Sequence, residues 1–409
     1  MSRVPESRRT ATPGKILVAM SGGVDSSVAA AFLVDRGHTV VGATLKTFCY
    51  SEVDGPAKTC CGLEGIADAR SVASRLGIAH VVFDVEKEFT DDVIDDFVNE
   101  YAAGRTPIPC VRCNSFTKFR DLVRRADALG CDGIATGHYA RVVRRDGAAR
   151  LARAEDDRKD QTYFLWGIPR DVLERLHLPV GELRKPDVRR AARRLELVTA
   201  DKPESFEICF VPDNDYAGVL RRYLGDDHPA LSPGPFVTEN GRVAGEHDGY
   251  ARFTVGQRKG LPGGSSEPLY VLEIRPDSRE VVIGPRSSLA ASSLRAGGAN
   301  WLAARPGPGE ELGVRIRHGA SIVPARVTDA DDEGFALELA VPQRAVTPGQ
   351  SAVLYRDDVV VGGGVIHASG EAGAPADQCL SPSASASRSS ASRPSFDRSF
   401  GTRITTRTS

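Results

Sequence analysis

The stretch whose residue types most clearly allow chemistry is Ser21–Ser27, with the sequence Ser-Gly-Gly-Val-Asp-Ser-Ser. Its glycines allow main-chain N–H groups to approach an anion closely, and its serine hydroxyls add hydrogen-bond donors. Asp25 within it could hold a Mg²⁺ ion that bridges phosphate groups. An unoccupied strand-to-helix turn is the alternative, but a turn needs fewer small and hydroxylated residues. The stretch therefore predicts a phosphate-binding loop.

The flanking sequence predicts the elements that position this loop. Lys15–Met20 is a short apolar run typical of a buried strand, and Ser27–Arg36 is rich in helix formers and ends before Gly37. The N-terminus of such a helix adds partial positive charge beside a bound anion. The loop matches neither the G-x-x-x-x-G-K-S/T motif nor the G-x-G-x-x-G fingerprint. It closely resembles the PP-loop of ATP pyrophosphatases, which cleave ATP between its α and β phosphates.

A second informative stretch is Arg105–Asn114, which contains Cys110-Val111-Arg112-Cys113. Its two prolines predict a stiff, extended loop that leads into a helix at about Ser115. Cys113 would then lie near a helix N-terminus beside Arg112, and both features stabilise a thiolate. Cys113 is therefore a candidate nucleophile.

Two other interpretations of this C-x-x-C pair remain open. It could be a redox dithiol, or it could be half of a metal site. A zinc site would need Cys60 and Cys61 as its second half, although adjacent residues chelate one metal poorly. An iron–sulfur variant would add Cys49.

A third stretch, Asp201–Phe210, contains a single cysteine, Cys209, between Ile208 and Phe210. A lone cysteine in that setting is by default a small buried hydrophobic residue. The segment is polar, however, and joins two predicted domains. It could therefore act as a lid that carries a reactive thiol.

Composition limits the class of protein. The chain of 409 residues has a formal net charge of −1, so any contact with nucleic acid must come from local basic patches. Eight cysteines at irregular spacing favour reduced thiols and a cytoplasmic location. No apolar run approaches a membrane span, and Met1–Thr10 lacks the apolar core of a secretory signal. Arginines cluster at Arg141–Arg145 and Arg184–Arg194, but such runs are more often solvated faces than binding sites.

Strands and helices alternate from Lys15 to about Ala200, which predicts an α/β fold with a parallel sheet covered on both faces. Strands are expected at Lys15–Met20, Thr39–Leu45, 80–85 and 133–137, with ligands beyond their carboxyl ends. Beyond residue 211, short β-rich runs such as Arg252–Val255 predict a small β-rich domain and then an antiparallel β-barrel. The expected divisions are a PP-loop ATP-binding catalytic domain at 14–210, a central β-rich domain at 211–290, a β-barrel at 291–367 and a disordered Ser- and Arg-rich tail at 368–409.

Several segments occur in an order that resembles the tRNA-specific 2-thiouridylase (MnmA) family. They are the PP-loop, Arg105–Asn114, Thr136–Ala140, Lys159–Tyr163, Glu207–Phe210, Phe253–Gly260 and Val346–Gln350. The resemblance runs from about residue 14 to residue 367. It implies an enzyme that uses ATP with Mg²⁺ to replace O2 of the wobble uridine, position 34, with sulfur. Implied ATP contacts are Ala19, Met20, Ser21, Gly22, Gly23, Val24, Asp25, Ser26, Leu45 and Gly137.

The same resemblance implies roles for two cysteines and for a set of tRNA contacts. Cys209 would carry a persulfide, and Cys113 would either form a disulfide with it or attack the base. Ile108, Pro109 and Cys110 would meet the base, where the family more often has Asn-Pro-Asp. Ile108 cannot form a side-chain hydrogen bond, and the thiol of Cys110 forms only weak ones. The other implied tRNA contacts are His138, Lys159, Asp160, Gln161, Arg317, His318 (in place of the usual Tyr) and Gln350.

The expected partners are the tRNAs for Glu, Gln and Lys, and a persulfide donor such as a cysteine desulfurase or a sulfur-relay protein. No membrane contact and no structural metal are expected. Two rival functions remain: another PP-loop ligase or amidotransferase, which would need no paired thiols, and a catalytically silent tRNA-binding protein.

Overall fold

The structure is a computed structural model that describes residues 13–47, 63–204, 208–211, 215–264 and 267–370. The predictions for Cys49, Cys60 and Cys61 lie outside these residues, as do those for Met1–Thr10 and for the tail beyond Gly370. In the part of the chain described, no helix is both long enough and apolar enough to cross a membrane.

The first region is an α/β unit built on a five-stranded parallel sheet. Its first elements are β1 (Lys15–Ala19), α1 (Val24–Asp35), β2 (Thr39–Lys46), α2 (Leu63–Leu76), β3 (Ala79–Asp84), α3 (Glu86–Phe89), α4 (Asp95–Ala102), α5 (Pro109–Arg112) and α6 (Asp121–Ala128). They continue with β4 (Gly133–Ala135), β5 (Arg141–Arg145), β6 (Ala148–Ala152), β7 (Leu176–His177) and α7 (Lys185–Arg194). The sheet order is β3-β2-β1-β4-β7, with every pair parallel. The predicted fold class is confirmed, and β1 lies near the middle of the sheet.

Two helices begin earlier than predicted. α1 begins at Val24 rather than Ser27, because Gly23 serves as an extended N-cap (φ −97°, ψ 163°) and Asp25 suits the positive first turn. α5 begins at Pro109, since proline at the first helical position is already set in a helical φ. A π-helical stretch, Cys113–Arg120, links α5 directly to α6. The extended loop therefore ends at Ile108, and Cys113 lies one turn inside the helix rather than at its start.

The hairpin β5–β6 was not predicted, and it connects the first region to the C-terminal barrel. Its turn is Asp146-Gly147, with both residues at positive φ (51° and 76°), as a two-residue hairpin turn requires. Ala152 of β6 pairs with Val359 of the barrel. Arg141 and the neighbouring Arg145 also form ion pairs with Asp358, at 2.9 and 3.0 Å.

The central region contains a helix as well as strands. It comprises α8 (Tyr216–Leu224), β8 (Gly234–Thr238), β9 (Val243–His247), β10 (Leu269–Arg275) and β11 (Glu280–Pro285), with sheet order β10-β11-β8-β9. The prediction of a strand at Arg252–Val255 is wrong. Gln257 Oε1 accepts a hydrogen bond from Thr254 N (3.1 Å), so a side chain occupies a donor that a strand would use for pairing. Phe253 instead packs edge-on against Phe236.

The C-terminal region is a closed antiparallel barrel. Its strands are β12 (Ala290–Trp301), β13 (Glu311–Arg315), β14 (Val323–Ala330), β15 (Gly334–Arg344), β16 (Ser351–Arg356) and β17 (Val359–Gly370). They follow the order β12-β15-β14-β13-β16-β17, and pairing of β12 with β17 closes the barrel. Closure leaves no unpaired strand edge between these six strands. The hairpin β5–β6 extends the same sheet from β17.

Shared cores join the first region to both of the others. One hydrophobic cluster combines Tyr163 and Trp166 of the first region with Val353 and Tyr355 of the barrel. A second combines residues of the helical stretch that begins at α3 with the central sheet, and it also contains Cys113. The first region therefore lies between the other two and packs against each through buried apolar side chains.

Candidate active site

The phosphate-binding loop lies between β1 and the start of α1, at the carboxyl end of the sheet. Gly22 has φ +74°, and a Cβ atom there would lie 2.2 Å from the carbonyl oxygen of Gly65. The position thus requires glycine both for its backbone conformation and for the close packing of α2. Gly23 caps α1 without any side-chain hydrogen bond to the helix. Among the residues that the structure describes, the N-cap position therefore supplies no side chain to the first-turn N–H groups of α1.

Serine hydroxyls fix the shape of this loop. Ser26 Oγ accepts from Ser21 N (3.2 Å) and lies 3.3 Å from Ser21 Oγ, while Ser27 Oγ donates to the carbonyl of Gly23 (2.9 Å). A Cβ atom on Gly137, after β4, would lie 2.5 Å from Ser26 N. Gly137 therefore lies against the loop, as expected for strands that end at one edge.

The residues of the loop fit a bound phosphate group but do not fit the predicted Mg²⁺ ion. The uncapped helix N-terminus beside two glycines suits a pyrophosphate group. Asp25, however, receives Lys185 Nζ on both carboxylate oxygens, at 2.7 and 2.8 Å, and Tyr139 Oη at 2.8 Å. Both oxygens of the Asp25 carboxylate thus already have hydrogen-bond partners, and the Lys185 charge compensates its charge. Asp25 does not fit the predicted role as a Mg²⁺ ligand. Among the described residues, no group of three His, Cys, Asp or Glu side chains could hold a metal ion.

Lys185 connects the loop to the segment that leads to Cys209. Its Nζ atom lies 3.0 Å from Glu204 Oε1 as well as beside Asp25, and Lys159 also pairs with Glu204. Partial burial would raise the pKa of Glu204, but the two lysines lower it overall. Sequence reasoning placed Lys185 only within an arginine-rich run. Its distinguishing signal is its position at the start of α7, immediately before Pro186.

The arginine clusters are occupied by contacts within the protein. On α7, Arg189 donates to the carbonyl of Lys202 at 3.2 Å, and Arg193 pairs with Asp201 at 2.8 Å. In the hairpin, Arg144 pairs with Glu174 at 2.8 Å. These arginines therefore form ion pairs and hydrogen bonds within the protein, as is typical of a solvated surface.

The structure brings Cys113 and Cys209 to one hydrophobic cluster although 96 positions separate them in the sequence (209 − 113). Cys113 is buried within this cluster, and the half-buried Cys209 packs against it. Phe210 contacts Phe97 edge-on, with ring centroids 5.1 Å apart. We call the hydrophobic cluster that contains Cys113, and against which Cys209 packs, the cysteine cluster. Cys110 is exposed, whereas Cys131 is buried in a different cluster, where burial raises its pKa.

The surroundings of Cys113 differ from those expected from the sequence, and its role as a nucleophile stays a prediction. The helix begins at Pro109, so Cys113 is its fifth residue and its N–H donates to the carbonyl of Pro109. The Arg112 guanidinium lies 3.4 Å from Asp96 and stacks over the ring of Phe116. The Arg112 charge is therefore shared with an acidic side chain and an aromatic ring.

Some of the expected tRNA contacts lie where the first region meets the barrel, and several make hydrogen bonds or ion pairs within the protein. Asp160 is fully buried and pairs with Arg315 at 2.8 Å, so its side chain does not reach the surface. Gln350 Nε2 donates to the carbonyl of Thr106 at 2.8 Å, close to Ile108 and the buried Pro109. Barrel residues thus hold the Arg105–Asn114 stretch in place.

The remaining expected contacts also have defined neighbours. Burial, assisted by the charge on Lys118, lowers the pKa of His138 to about 3, and its Nδ1 lies 2.8 Å from Thr136 Oγ1. Gln161 Oε1 accepts from Tyr139 N at 2.8 Å. His318 packs on Phe164, and Arg317 donates to the carbonyl of Arg344. Asp160, His318 and Gln350 have partners across the boundary between the first region and the barrel. The contacts of His138 and Gln161 lie within the first region, and Lys159 belongs to the Lys185 network.

Three family models together match most of the chain. Residues 14–213 match a tRNA methyl transferase HUP domain, 219–285 a tRNA methyl transferase PRC-barrel domain, and 291–366 an aminomethyltransferase β-barrel domain. Among solved structures, a 4-thiouridine synthetase–RNA complex with bound ATP shares 16% identity over 48% of this chain and 45% of that chain, with a TM-score of 0.32. An NMN synthetase from Francisella tularensis shares 16% identity over 48% and 67%, with a TM-score of 0.30.

Curated relatives are much more similar. A protein of Rhizorhabdus wittichii named tRNA-specific 2-thiouridylase MnmA is 49% identical over 358 residues, which cover 87% of this chain and 92% of the relative. A protein of the same name from Carboxydothermus hydrogenoformans is 48% identical over 357 residues, covering 86% and 97%. The resemblance found in the sequence is thereby confirmed. The chain belongs to the tRNA-specific 2-thiouridylase (MnmA) family.

Proposed function

We propose that this protein replaces O2 of the wobble uridine, position 34, of tRNA with sulfur in an ATP-dependent reaction. The observation that supports the proposal is the presence of Cys113 and Cys209 in one hydrophobic cluster, in a chain whose PP-loop has the geometry of an anion site. A family member that only bound RNA would need neither feature.

The oxygen of an amide-like carbonyl is a poor leaving group, so it must be activated before sulfur can replace it. ATP supplies that activation by adenylation of O2, with release of pyrophosphate. The loop N–H groups of Gly22–Ser26 would hold the pyrophosphate as its charge develops, without reorganisation at the moment of reaction. Leu45, buried at the carboxyl end of β2, and Gly137 complete the nucleotide side of the site.

The two cysteines would deliver the sulfur. A persulfide on Cys209 carries the sulfur atom, and Cys113 either attacks the inner sulfur to release hydrosulfide or attacks the base. The first route is ordinary thiol–disulfide exchange. A cysteine desulfurase or a sulfur-relay protein would load Cys209, which is half-buried and so partly accessible to a donor.

The tRNA would bind along the boundary between the first region and the barrel. The target uridine must leave its stack to reach the site, as in other enzymes that act on a base. Ile108–Cys110, His318 and Gln350 lie at or near this boundary. The proposed substrates are the tRNAs for Glu, Gln and Lys.

The family models are described as methyl transferases, whereas the relatives are named 2-thiouridylases. Two cysteines on one cluster favour sulfur chemistry, because a methyl transfer would not use a persulfide. A PP-loop ligase or amidotransferase would likewise keep its activity without these thiols.

Nucleoside mass spectrometry separates these functions. Unmodified tRNA is incubated with the protein, ATP and a persulfide-generating donor. It is then digested to nucleosides, and in parallel to ribonuclease fragments that identify position 34. We expect 2-thiouridine at position 34, only when ATP is present. A folded protein that yields no 2-thiouridine, or that yields a methylated uridine instead, would refute the proposal.

A further inference from the structure

We infer that Arg315 is a positioning residue: its ion pair with Asp160 holds the exposed Arg317–His318 segment of the barrel at the edge where tRNA would bind. The inference rests on the proposed function and concerns how one side of that edge is kept in place. Arg315 is the last residue of β13, and the segment begins two residues later. Both side chains of the ion pair are buried, at 8% exposure for Arg315 and 0% for Asp160.

The Asp160 carboxylate is held in place by its own region. Its Oδ1 atom accepts hydrogen bonds from Ala154 N at 3.2 Å and from Thr162 N at 3.4 Å, and its Oδ2 atom accepts one from Thr162 Oγ1 at 2.8 Å. Arg153 Nε, also of the first region, lies farther from Oδ2, at 3.9 Å. These contacts fix the carboxylate within the first region, so it can serve as an anchor for a residue of the barrel.

The barrel contributes the guanidinium of the pair. Arg315 Nη1 donates to Asp160 Oδ2 at 2.8 Å across the boundary. Tyr355 of β16 supports the same group indirectly, because its hydroxyl lies 3.1 Å from Thr162 Oγ1. The Thr162 hydroxyl has one hydrogen, which it donates to Asp160, so Tyr355 is the donor in that contact. An unpaired buried charge is costly, so the guanidinium and the carboxylate hold each other in one arrangement.

The chain beyond Arg315 depends on such contacts for its position. Strand pairing of β13 ends at Arg315, and residues 316–322 belong to no strand. The ring of His318 packs on Phe164 of the first region, with centroids 4.5 Å apart, and Arg317 donates to a backbone carbonyl of β15 at 2.9 Å. Because Arg315 lies at the base of this stretch, its pairing with the first region sets where both exposed side chains lie. An exposed aromatic ring and a guanidinium suit a stacked base and a phosphate of RNA.

Fold stability alone does not account for the pair. The first region and the barrel already share a hydrophobic cluster that contains Tyr163 and Val353. Replacing a buried ion pair by uncharged side chains of similar size often leaves stability unchanged or raises it. A variant that lacks both charges should therefore keep the fold and lose the fixed position.

The test measures tRNA affinity, ATP affinity and urea denaturation for Arg315→Met, Arg315→Lys and the double variant Arg315→Met with Asp160→Asn. The tRNA probe is an unmodified transcript of a tRNA for Glu. Asp358→Asn is the matched control, because Asp358 also forms ion pairs between the barrel and the first region. Every variant is also made in a His318→Ala background, which removes the exposed ring.

We expect the double variant to bind tRNA about tenfold more weakly than wild type, with ATP affinity and the urea midpoint unchanged. Arg315→Met leaves a buried carboxylate unpaired and should be less stable, whereas Arg315→Lys keeps the charge and should lose less tRNA affinity than the double variant. In the His318→Ala background the double variant should lose less than about twofold. Asp358→Asn should change tRNA affinity by less than about twofold in either background.

Wild-type tRNA affinity in the folded double variant would overturn the inference, as would a loss of the same size with and without His318. Failure of the double variant to fold would overturn it too, because the pair would then be required for the fold itself. Wild-type protein that binds tRNA but forms no 2-thiouridine would refute the proposed function instead, and the affinities would still decide the role of Arg315.

Discussion

The phosphate-binding loop and the cysteine cluster are built from different kinds of interaction. The loop takes its shape from neighbours in the chain, since Ser21, Gly23 and Ser26 bond to one another within six residues. The cysteine cluster joins helical residues around Cys113, the Ile208–Val211 turn and the central sheet. Hydrogen bonds and glycine backbone conformations define the loop, whereas apolar packing defines the cysteine cluster. Substitutions should therefore affect them separately.

The largest expected effect separates the two regions completely. Cys209→Ser should lower persulfide-dependent thiolation by at least about 10³-fold, because serine cannot carry the sulfur. ATP binding should be unchanged, since Cys209 packs on the cysteine cluster and not on the loop. Nucleoside mass spectrometry and equilibrium nucleotide binding on the same preparation measure both quantities. Equal thiolation by the variant would contradict the assignment.

The converse test damages the loop. Gly22→Ala places a Cβ atom 2.2 Å from a backbone oxygen at φ +74°, so we expect unfolding to become easier by about 2–4 kcal/mol and ATP binding to be lost. Gly37→Ala is the matched control. Gly37 has φ +84° but nothing within 4 Å of the added atom, so only the conformational cost of about 1–2 kcal/mol applies. Equal losses in the two variants, by urea denaturation, would show that packing against α2 is unimportant.

A milder change probes the cysteine cluster by its packing alone. Phe97→Leu should cost about 1–2 kcal/mol and slow sulfur transfer while leaving ATP binding intact, because Phe97 is fully buried beside Phe210. Phe335→Leu, in the barrel core, is the control for the substitution itself. If both variants slowed transfer equally, the cluster would have no special role in positioning the thiols.

The effect that is smallest at neutral pH is a pH dependence near the loop, at His138. The pKa of His138 is lowered to about 3 in the folded protein, so the unfolded chain binds an extra proton below about pH 6.5. Stability attributable to this residue is thus complete above pH 6.5 and falls by about 1.4 kcal/mol per pH unit below it. Urea denaturation between about pH 7 and pH 5 should show a slope reduced by about one proton in His138→Gln. An unchanged slope would mean that His138 is accessible to protonation in the fold.

The sequence was most informative where the structure is local. Strand β1, the loop and α1 are contiguous, so residue types alone predicted the anion site. The hairpin β5–β6 carried a readable Asp146-Gly147 turn signal that the prediction missed. The start of α5 at Pro109 likewise follows from a general preference of proline for the first helical position.

Other features depended on contacts between distant residues and could not be read from sequence spacing. Asp160 pairs with Arg315, which is 155 positions away, and Asp25 pairs with Lys185, which is 160 positions away. Asp160 was a predicted tRNA contact and Asp25 a predicted Mg²⁺ ligand, and each instead forms an ion pair within the protein. A common cluster for Cys113 and Cys209 could be expected only from a family resemblance, because 96 positions separate them in the chain.

The central claim is that the Cys113 and Cys209 thiols come together for sulfur transfer. Disulfide trapping in Cys110→Ser protein, which lacks the neighbouring thiol, tests this claim most directly. The variant is oxidised mildly with ATP and tRNA present, digested without reduction, and its peptides are mapped by mass spectrometry. The account predicts a Cys113–Cys209 disulfide as the main product. Failure of these two cysteines to bond under any combination of ATP and tRNA, in folded protein, would contradict it.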